Sequence, residues 1–320
     1  MRNVLITGGA GFIGSHLVAR LLAEGGWRVV VLDDFNDFYD PALKRRNVEP
    51  HLGREEFELR EADIRDRAAL DEVFKGTQFD CIVHLAARAG VRPSLAEPVL
   101  YTETNINGTV NLLELAREHD VRQFVFGSSS SVYGENEKVP FAEDDPVNRP
   151  ISPYAATKAA GELLCHTYSH LFGLRCLCLR FFTVYGARQR PDLAIHKFAR
   201  LISEGKPIPV FGDGTTRRDY TYVDDIIAGV RAAMDYDASD YEVVNLGGSR
   251  TVSLSELIAL LERELGQKAV IDRQHPQPGD VPRTFADVSK ARRLLGYDPQ
   301  TPIEEGIRRF VEWFNEKSYR

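Results

Sequence analysis

Within its first fourteen residues the chain commits to a strand, a glycine turn and a helix. Asn3 to Thr7 is a short apolar run, Gly8, Gly11 and Gly14 follow at a spacing of three, and an amphipathic pattern then continues to about Glu24. Glycine permits a tight strand-to-helix turn, close approach of backbone to a pyrophosphate and close packing of helix on strand. The free N–H groups of the helix N-terminus face the anion. Glycine-rich turns are common, and this one gains its meaning from standing between the first strand and the first helix. A second strand, Arg28 to Leu32, ends in Asp33-Asp34, and Asp33 lies 19 residues beyond Gly14, near the spacing at which an acid accepts the adenosine ribose hydroxyls. No arginine follows at once to neutralise a 2′-phosphate, so the expected cofactor is NAD rather than NADP. The plainer alternative is a solvated acidic strand end.

The same alternation continues. Residues 35–50 read as a loop plus a short basic helix, and Phe57 to Arg60 as a third strand leading to Asp63, which either reaches the adenine or caps the next helix. Asp80 to Leu85 is a strand ending at Ala86-Ala87, small enough to leave room for a cofactor, with Arg88 and Arg92 beyond. A long helical pattern from about Ala96 to Glu118 carries Asn105 and Asn107. This rhythm predicts an α/β fold with a doubly wound parallel (Rossmann) sheet and its ligand at the carboxyl ends of the strands.

Forty Lys and Arg against 47 Asp and Glu, a net charge of -7, argue against a nucleic-acid partner or an anionic membrane. No apolar run approaches about 18 residues and Met1 leads directly into a strand, so no membrane span is expected and the expected location is cytoplasmic. The 4 cysteines lack metal-ligand spacing, and His166 and His170, at i, i+4, have no third ligand in view, so no metal is expected.

The chemistry concentrates between Phe124 and Lys158. Phe124, Val125 and Phe126 read as a buried strand running into a serine cluster, Ser128 to Ser131, and Ser152 with Pro153 announces a helix. Tyr154 and Lys158 are four apart on that helix and share a face. A tyrosine of pKa near ~10 is a poor base at neutral pH. A cation at about 4 Å favours its anion by roughly 4 kcal/mol at an effective dielectric of about 20, and an oxidised nicotinamide acts in the same direction. Without a nicotinamide, Tyr-x-x-x-Lys is an ordinary surface pair.

Gly8-x-x-Gly11-x-x-Gly14, Asp33, Asp63, Ser129 and Tyr154-x-x-x-Lys158 together resemble the extended short-chain dehydrogenase/reductase family of nucleotide-sugar epimerases, dehydratases and decarboxylases, over essentially the whole chain. The resemblance implies a dinucleotide-binding domain at 1–181, to which 222–247 returns, and a nucleotide-sugar-binding domain at 182–320. It implies Ser129, Tyr154 and Lys158 as the catalytic set. Around NAD it implies Gly8, Gly11, Phe12, Ile13, Gly14, Asp33, Asn36, Asp63, Ile64, Leu85, Ala86, Ala87 and Asn105, together with Tyr154 and Lys158. Around a UDP-sugar it implies Arg88, Ser129, Ser130, Ser131, Thr183, Arg188, Arg190, Phe211, Arg218 and Arg283. It also implies a homodimer pairing through the helices at 96–118 and 153–172.

Within the family, the 4,6-dehydratases carry Asp-Glu at the positions of Ser130 and Ser131, and the UDP-xylose-forming decarboxylases a glutamate at Ser131. Serines cannot drive elimination, which leaves reversible oxidation at C4. The runs at 35–41, 84–92, 182–186 and 188–192 resemble the UDP-glucuronate 4-epimerases, whereas UDP-glucose 4-epimerases have an asparagine near Thr183 and an arginine near Gln277. The expected carboxylate pocket combines hydroxyls from Ser130, Ser131 and Thr183 with Arg188 or Arg190 and no opposing acid. The alternatives are a UDP-glucose/UDP-galactose 4-epimerase and a catalytically silent NAD-binding sensor.

Overall fold

The computed structural model describes residues 1–248, 250–275 and 281–316. In chain order the first half runs β1 (Arg2–Thr7), α1 (Phe12–Glu24), β2 (Trp27–Asp33), α2 (Pro41–Val48), β3 (Phe57–Glu61), α3 (Arg67–Phe74), β4 (Cys81–His84), α4 (Val91–Ala96), α5 (Pro98–Thr102), α6 (Gly108–Glu118) and β5 (Gln123–Ser129). The second half runs α7 (Pro153–Phe172), β6 (Arg175–Phe181), β7 (Thr183–Tyr185), α8 (Ala194–Ser203), β8 (Pro207–Phe211), β9 (Arg217–Arg218), β10 (Tyr220–Tyr222), α9 (Val223–Ala233), β11 (Tyr241–Leu246), β12 (Val252–Ser253), α10 (Leu254–Leu265), β13 (Val270–Gln274), α11 (Ser289–Leu295) and α12 (Ile303–Asn315).

Seven parallel strands form the central sheet in the order β11-β6-β5-β4-β1-β2-β3. Strands covered by helices on both faces need apolar side chains on both, and β4 and β5 are buried at every residue. Connections from β1 run one way, to β2 and β3, and those from β4 the other way, which opens a crevice at the carboxyl ends beside β1 and β4. The returning segment is visible directly: α9 packs on α1, and β11 pairs with β6. Three two-stranded ribbons, β10 with β7, β12 with β9 and β13 with β8, stand apart from that sheet.

Helix α7 sets the position of the chemistry. Ser152 caps it by accepting from Ala155 N at 3.1 Å, Pro153 occupies its first turn, and Gly173 ends it in the left-handed region at φ 67. A Cβ on Gly161 would fall 2.3 Å from the Phe126 ring, so the glycine is what lets α7 press onto β5.

The expected single helix over 96–118 is broken. Glu97 precedes Pro98 and takes φ -128, ψ 51, because a proline disfavours helical geometry in the residue before it. The chain restarts as α5, passes through a π-helical turn at Glu103–Asn107 and continues as α6. Strand β13 is exposed along its whole length.

Candidate active site

A cleft of about 340 Å³ lies at the carboxyl ends of the central strands. One wall is the glycine turn, where Gly8, Gly11, Phe12, Ile13 and Gly14 all line the space. A Cβ on Gly14 would sit 2.3 Å from Gly8 O, and one on Gly8 2.8 Å from Ala86 N. The turn therefore closes on itself with bare backbone at the N-terminus of α1, a cradle shaped for a diphosphate. Asp33 ends β2 in the same wall, accepting from Ala10 N at 3.2 Å and from Phe35 N at 3.0 Å. Burial pushes its carboxyl up, against the pull of Lys44.

Lys44 is a site residue that sequence reasoning missed. It is buried, lines the cleft, and stands 3.4 Å from Asp33 and 3.9 Å from Asp34. The available signal was the basic helix that follows the acid pair. Asn36 also lines the cleft, its amide donating to Asp34 Oδ1 at 2.6 Å. Ala62, Asp63, Ile64, Leu85, Ala86, Ala87 and Arg88 complete this end. Asp63 does not cap α3, since Asp66 does so by accepting from Ala69 N; Asp63 instead pairs with Arg65 at 2.6 Å.

At the other end Ser129, Tyr154, Lys158, Thr183 and Arg190 meet. Burial pushes the Tyr154 phenol up, while the Ser129 hydroxyl and the Arg190 guanidinium pull it back toward the anion. Burial also lowers Lys158 to about 8, and its ammonium donates to Gly127 O at 2.6 Å. Ser129 and Arg190 thus join Lys158, the cation expected to favour the phenolate, in the lining around Tyr154. His84, lowered to about 3 by burial, is a neutral tie from Thr7 (2.7 Å) to Thr109 (2.9 Å) that steadies the cleft floor.

Several expected contacts fall elsewhere. Asn105, expected at the cofactor, uses its amide to accept from Arg88 N at 2.8 Å and to donate to Arg88 O at 2.9 Å and Thr157 Oγ1 at 3.0 Å, which fixes the loop that lines the cleft. Ser130 and Ser131 are not in the lining. Ser131 N and Oγ both contact Ser129 Oγ at 3.1 Å. Arg188 takes φ 60 and donates to Ser15 O at 3.1 Å, leaving Arg190 as the arginine of its segment in the cleft. Arg190 has an opposing acid after all: Asp192 takes its Nε and Nη2 donors at 3.0 and 2.8 Å. In the smaller lobe Phe211 lies under the Arg92 guanidinium at 4.5 Å. Arg218 is on β9 next to Arg217, which bridges to Arg283, so both arginines expected at the diphosphate come from one locality. Gln277 lies outside the described residues.

Residues 5–310 match the GDP-mannose 4,6 dehydratase family. A UDP-glucuronate 4-epimerase of Thermodesulfobacterium geofontis is 45% identical over 317 residues, 99% of this chain and 97% of that protein. Among solved structures, the UDP-glucuronic acid 4-epimerase of Bacillus cereus, in complex with UDP-glucuronic acid and NAD, superposes with a TM-score of 0.91 at 37% identity, covering 98% of this chain and 99% of its own. The UDP-glucose 4-epimerase of Thermotoga maritima with UDP-glucose gives 0.90 at 33% identity, covering 99% of each chain.

Proposed function

This chain belongs to the GDP-mannose 4,6 dehydratase family of extended short-chain dehydrogenase/reductases, and on that footing we propose that it is an NAD-dependent epimerase inverting C4 of UDP-glucuronate to give UDP-galacturonate. The observation that carries the reading is the company Tyr154 keeps: Ser129, Thr183 and Arg190 in one cleft, with serines where the family's dehydratases have an acid and a base. When bound, NAD supplies a hydride acceptor and donor and a positively charged ring. Tyr154 as phenolate takes the C4 hydroxyl proton and later returns it, and Ser129 hydrogen-bonds the same oxygen. Lys158 carries the charge that favours phenolate and a donor for the nicotinamide ribose.

A 4-keto uronic acid is a β-keto acid and loses carbon dioxide when its carboxylate bond aligns with the ketone. Thr183 and the Nη1 edge of Arg190, the edge Asp192 does not use, hold that carboxylate out of alignment while the sugar turns to present its other face. Incubation with UDP-glucuronate and no added cofactor, followed by NMR, tests this. UDP-galacturonate is the expected product. Turnover of UDP-glucose alone would transfer the reading to a UDP-glucose 4-epimerase.

The lobe assignment is part of the same proposal, with 1–181 and the returning 222–247 holding NAD and the rest of 182–320 holding the UDP-sugar through Arg218 and Arg283. So is a cytoplasmic homodimer. Its support is that α5 packs on α7 while Leu95, Val99 and Leu163 on α4, α5 and α7 stay 51%, 68% and 70% exposed.

Two outcomes follow for the cofactor. Calorimetry is expected to give NAD at least about tenfold higher affinity than NADP, because a 2′-phosphate would meet Asp33 and Asp34, whose charge Lys44 offsets only in part. Equal affinities contradict it. Lys158→Met removes a charge and a ribose donor together, and is expected to lower both kcat and the NAD content of the purified protein, read by absorbance after denaturation.

A further inference from the structure

One buried ion pair stands behind the catalytic serine and has no part in the chemistry described above. Glu162 and Arg180 are 4% and 3% exposed, and Arg180 donates from Nε to Oε1 at 2.9 Å and from Nη2 to Oε2 at 2.8 Å. Ser128, itself 2% exposed, donates its hydroxyl to Glu162 Oε1 at 2.6 Å. Glu162 is on α7, one turn beyond Lys158 and two beyond Tyr154, whereas Ser128 is the residue before Ser129 on β5. On the far side of the serine loop the Arg180 guanidinium lies 4.7 Å over the Tyr133 ring, whose hydroxyl donates to Asn245 Oδ1 at 2.7 Å. Tyr133 closes the short turn Ser130–Tyr133 that Ser129 caps. Both ends of the loop carrying Ser129 are therefore tied to one carboxylate–guanidinium pair, and that carboxylate rides on the helix carrying Tyr154 and Lys158.

We infer that Glu162 and Arg180, acting through Ser128, are positioning residues that set the Ser129 hydroxyl against the Tyr154 phenol. A buried ion pair is weak as a source of stability, since apolar residues of similar volume commonly replace one without loss. Its use here is geometric. It adds a charged tie between β5 and α7 beside the Lys158 bond to Gly127 O, and the proton-accepting oxygen and its hydrogen-bonding partner come from those two elements.

The charged and polar groups facing Tyr154 are Lys158 on its own helix, Ser129 from β5, Tyr101 from α5 with ring centroids 6.3 Å apart, and Arg190. Of these, the Ser129 contact depends on the pair through Ser128, and the Lys158 ammonium is also favoured by the Glu162 carboxylate, which Ser128→Ala leaves in place. A hydrogen bond to the phenolate lowers its pKa, so loosening that bond raises it, and the limb of kcat that climbs with pH moves to higher pH.

The test is steady-state kinetics on the NAD-loaded enzyme with UDP-glucuronate, and it rests on the epimerase reading. Ser128→Ala cuts the serine's tie and leaves both Arg180 bonds to Glu162 in place. It is expected to lower kcat by about tenfold to a hundredfold, with KM within about twofold, NAD content unchanged and the rising pH limb shifted upward by about half a unit or more. The double variant Glu162→Met with Arg180→Met leaves no unpaired buried charge and is expected to move kcat and the limb in the same direction; should it not fold, Ser128→Ala decides. Wild-type kcat and pH limb in Ser128→Ala overturn the inference, as does a loss of kcat matched by loss of NAD and a rise in KM, the mark of a general structural role. A wild-type enzyme inert toward UDP-glucuronate would defeat the epimerase reading instead, which keeps the two failures apart.

Discussion

Tyr154→Phe is expected to lower kcat with UDP-glucuronate by at least about a thousandfold, at the upper end of what a positioned acid–base group contributes. The substitution keeps the ring that packs edge-on against Tyr101 and removes the oxygen proposed to take the C4 proton. KM for the sugar nucleotide and the NAD content of the purified enzyme should change little, because the ring and the cradle at Gly8 to Gly14 are untouched. Raising the pH is not expected to restore wild-type turnover, since the phenol oxygen beside Ser129 is what the variant lacks. Arg190 is a permanent cation, and His84 is closed off between two threonines. Full activity in this variant, measured by NMR of product, would remove Tyr154 from the mechanism.

The second large effect concerns substrate charge. Thr183 and Arg190 offer a carboxylate one hydroxyl and one guanidinium edge, and a charged hydrogen bond in a closed site contributes roughly 1.5–3 kcal/mol. Two of them predict kcat/KM for UDP-glucuronate at least about a hundredfold above that for UDP-glucose. The Asp192 carboxylate already balances part of the Arg190 charge, so the preference comes from directed donors more than from net charge. Thr183→Val should erode the preference while leaving NAD binding intact, and should release some UDP-pentose as the carboxylate swings into the decarboxylating orientation. Comparable specificity constants for the two sugars in the wild type would show that no carboxylate pocket operates here.

The parts of this site that were legible in the sequence are those whose chemistry is local. A glycine turn between strand and helix, an acid at the next strand end, and a tyrosine and lysine four apart on a helix each carry their geometry in their spacing, and all of them line one cleft. What was not legible depends on partners far along the chain. Lys44 looks like one more basic residue on a surface helix until the fold buries it against Asp33. Ser128 is one of four serines in a row, and only the packing of α7 on β5 gives it Glu162, while Glu162 finds Arg180 18 residues on. Asn105 is implied as a cofactor ligand by the family resemblance, yet on the π-helical turn at 103–107 its amide bonds the backbone of Arg88. The arginines divided for the same reason: the left-handed backbone at Arg188 sends its guanidinium to α1, and Arg190 alone of the two reaches the cleft.

The central claim is that C4 is oxidised and reduced within one closed site, with the same hydride returning to the opposite face. UDP-glucuronate carrying deuterium at C4, incubated with the wild-type enzyme in ordinary water without added cofactor, tests this most directly. The account predicts UDP-galacturonate that retains deuterium at C4, seen by mass and by the missing H4 resonance. Product formed with the C4 label exchanged for solvent hydrogen would contradict it, because the hydrogen would then have left as a proton.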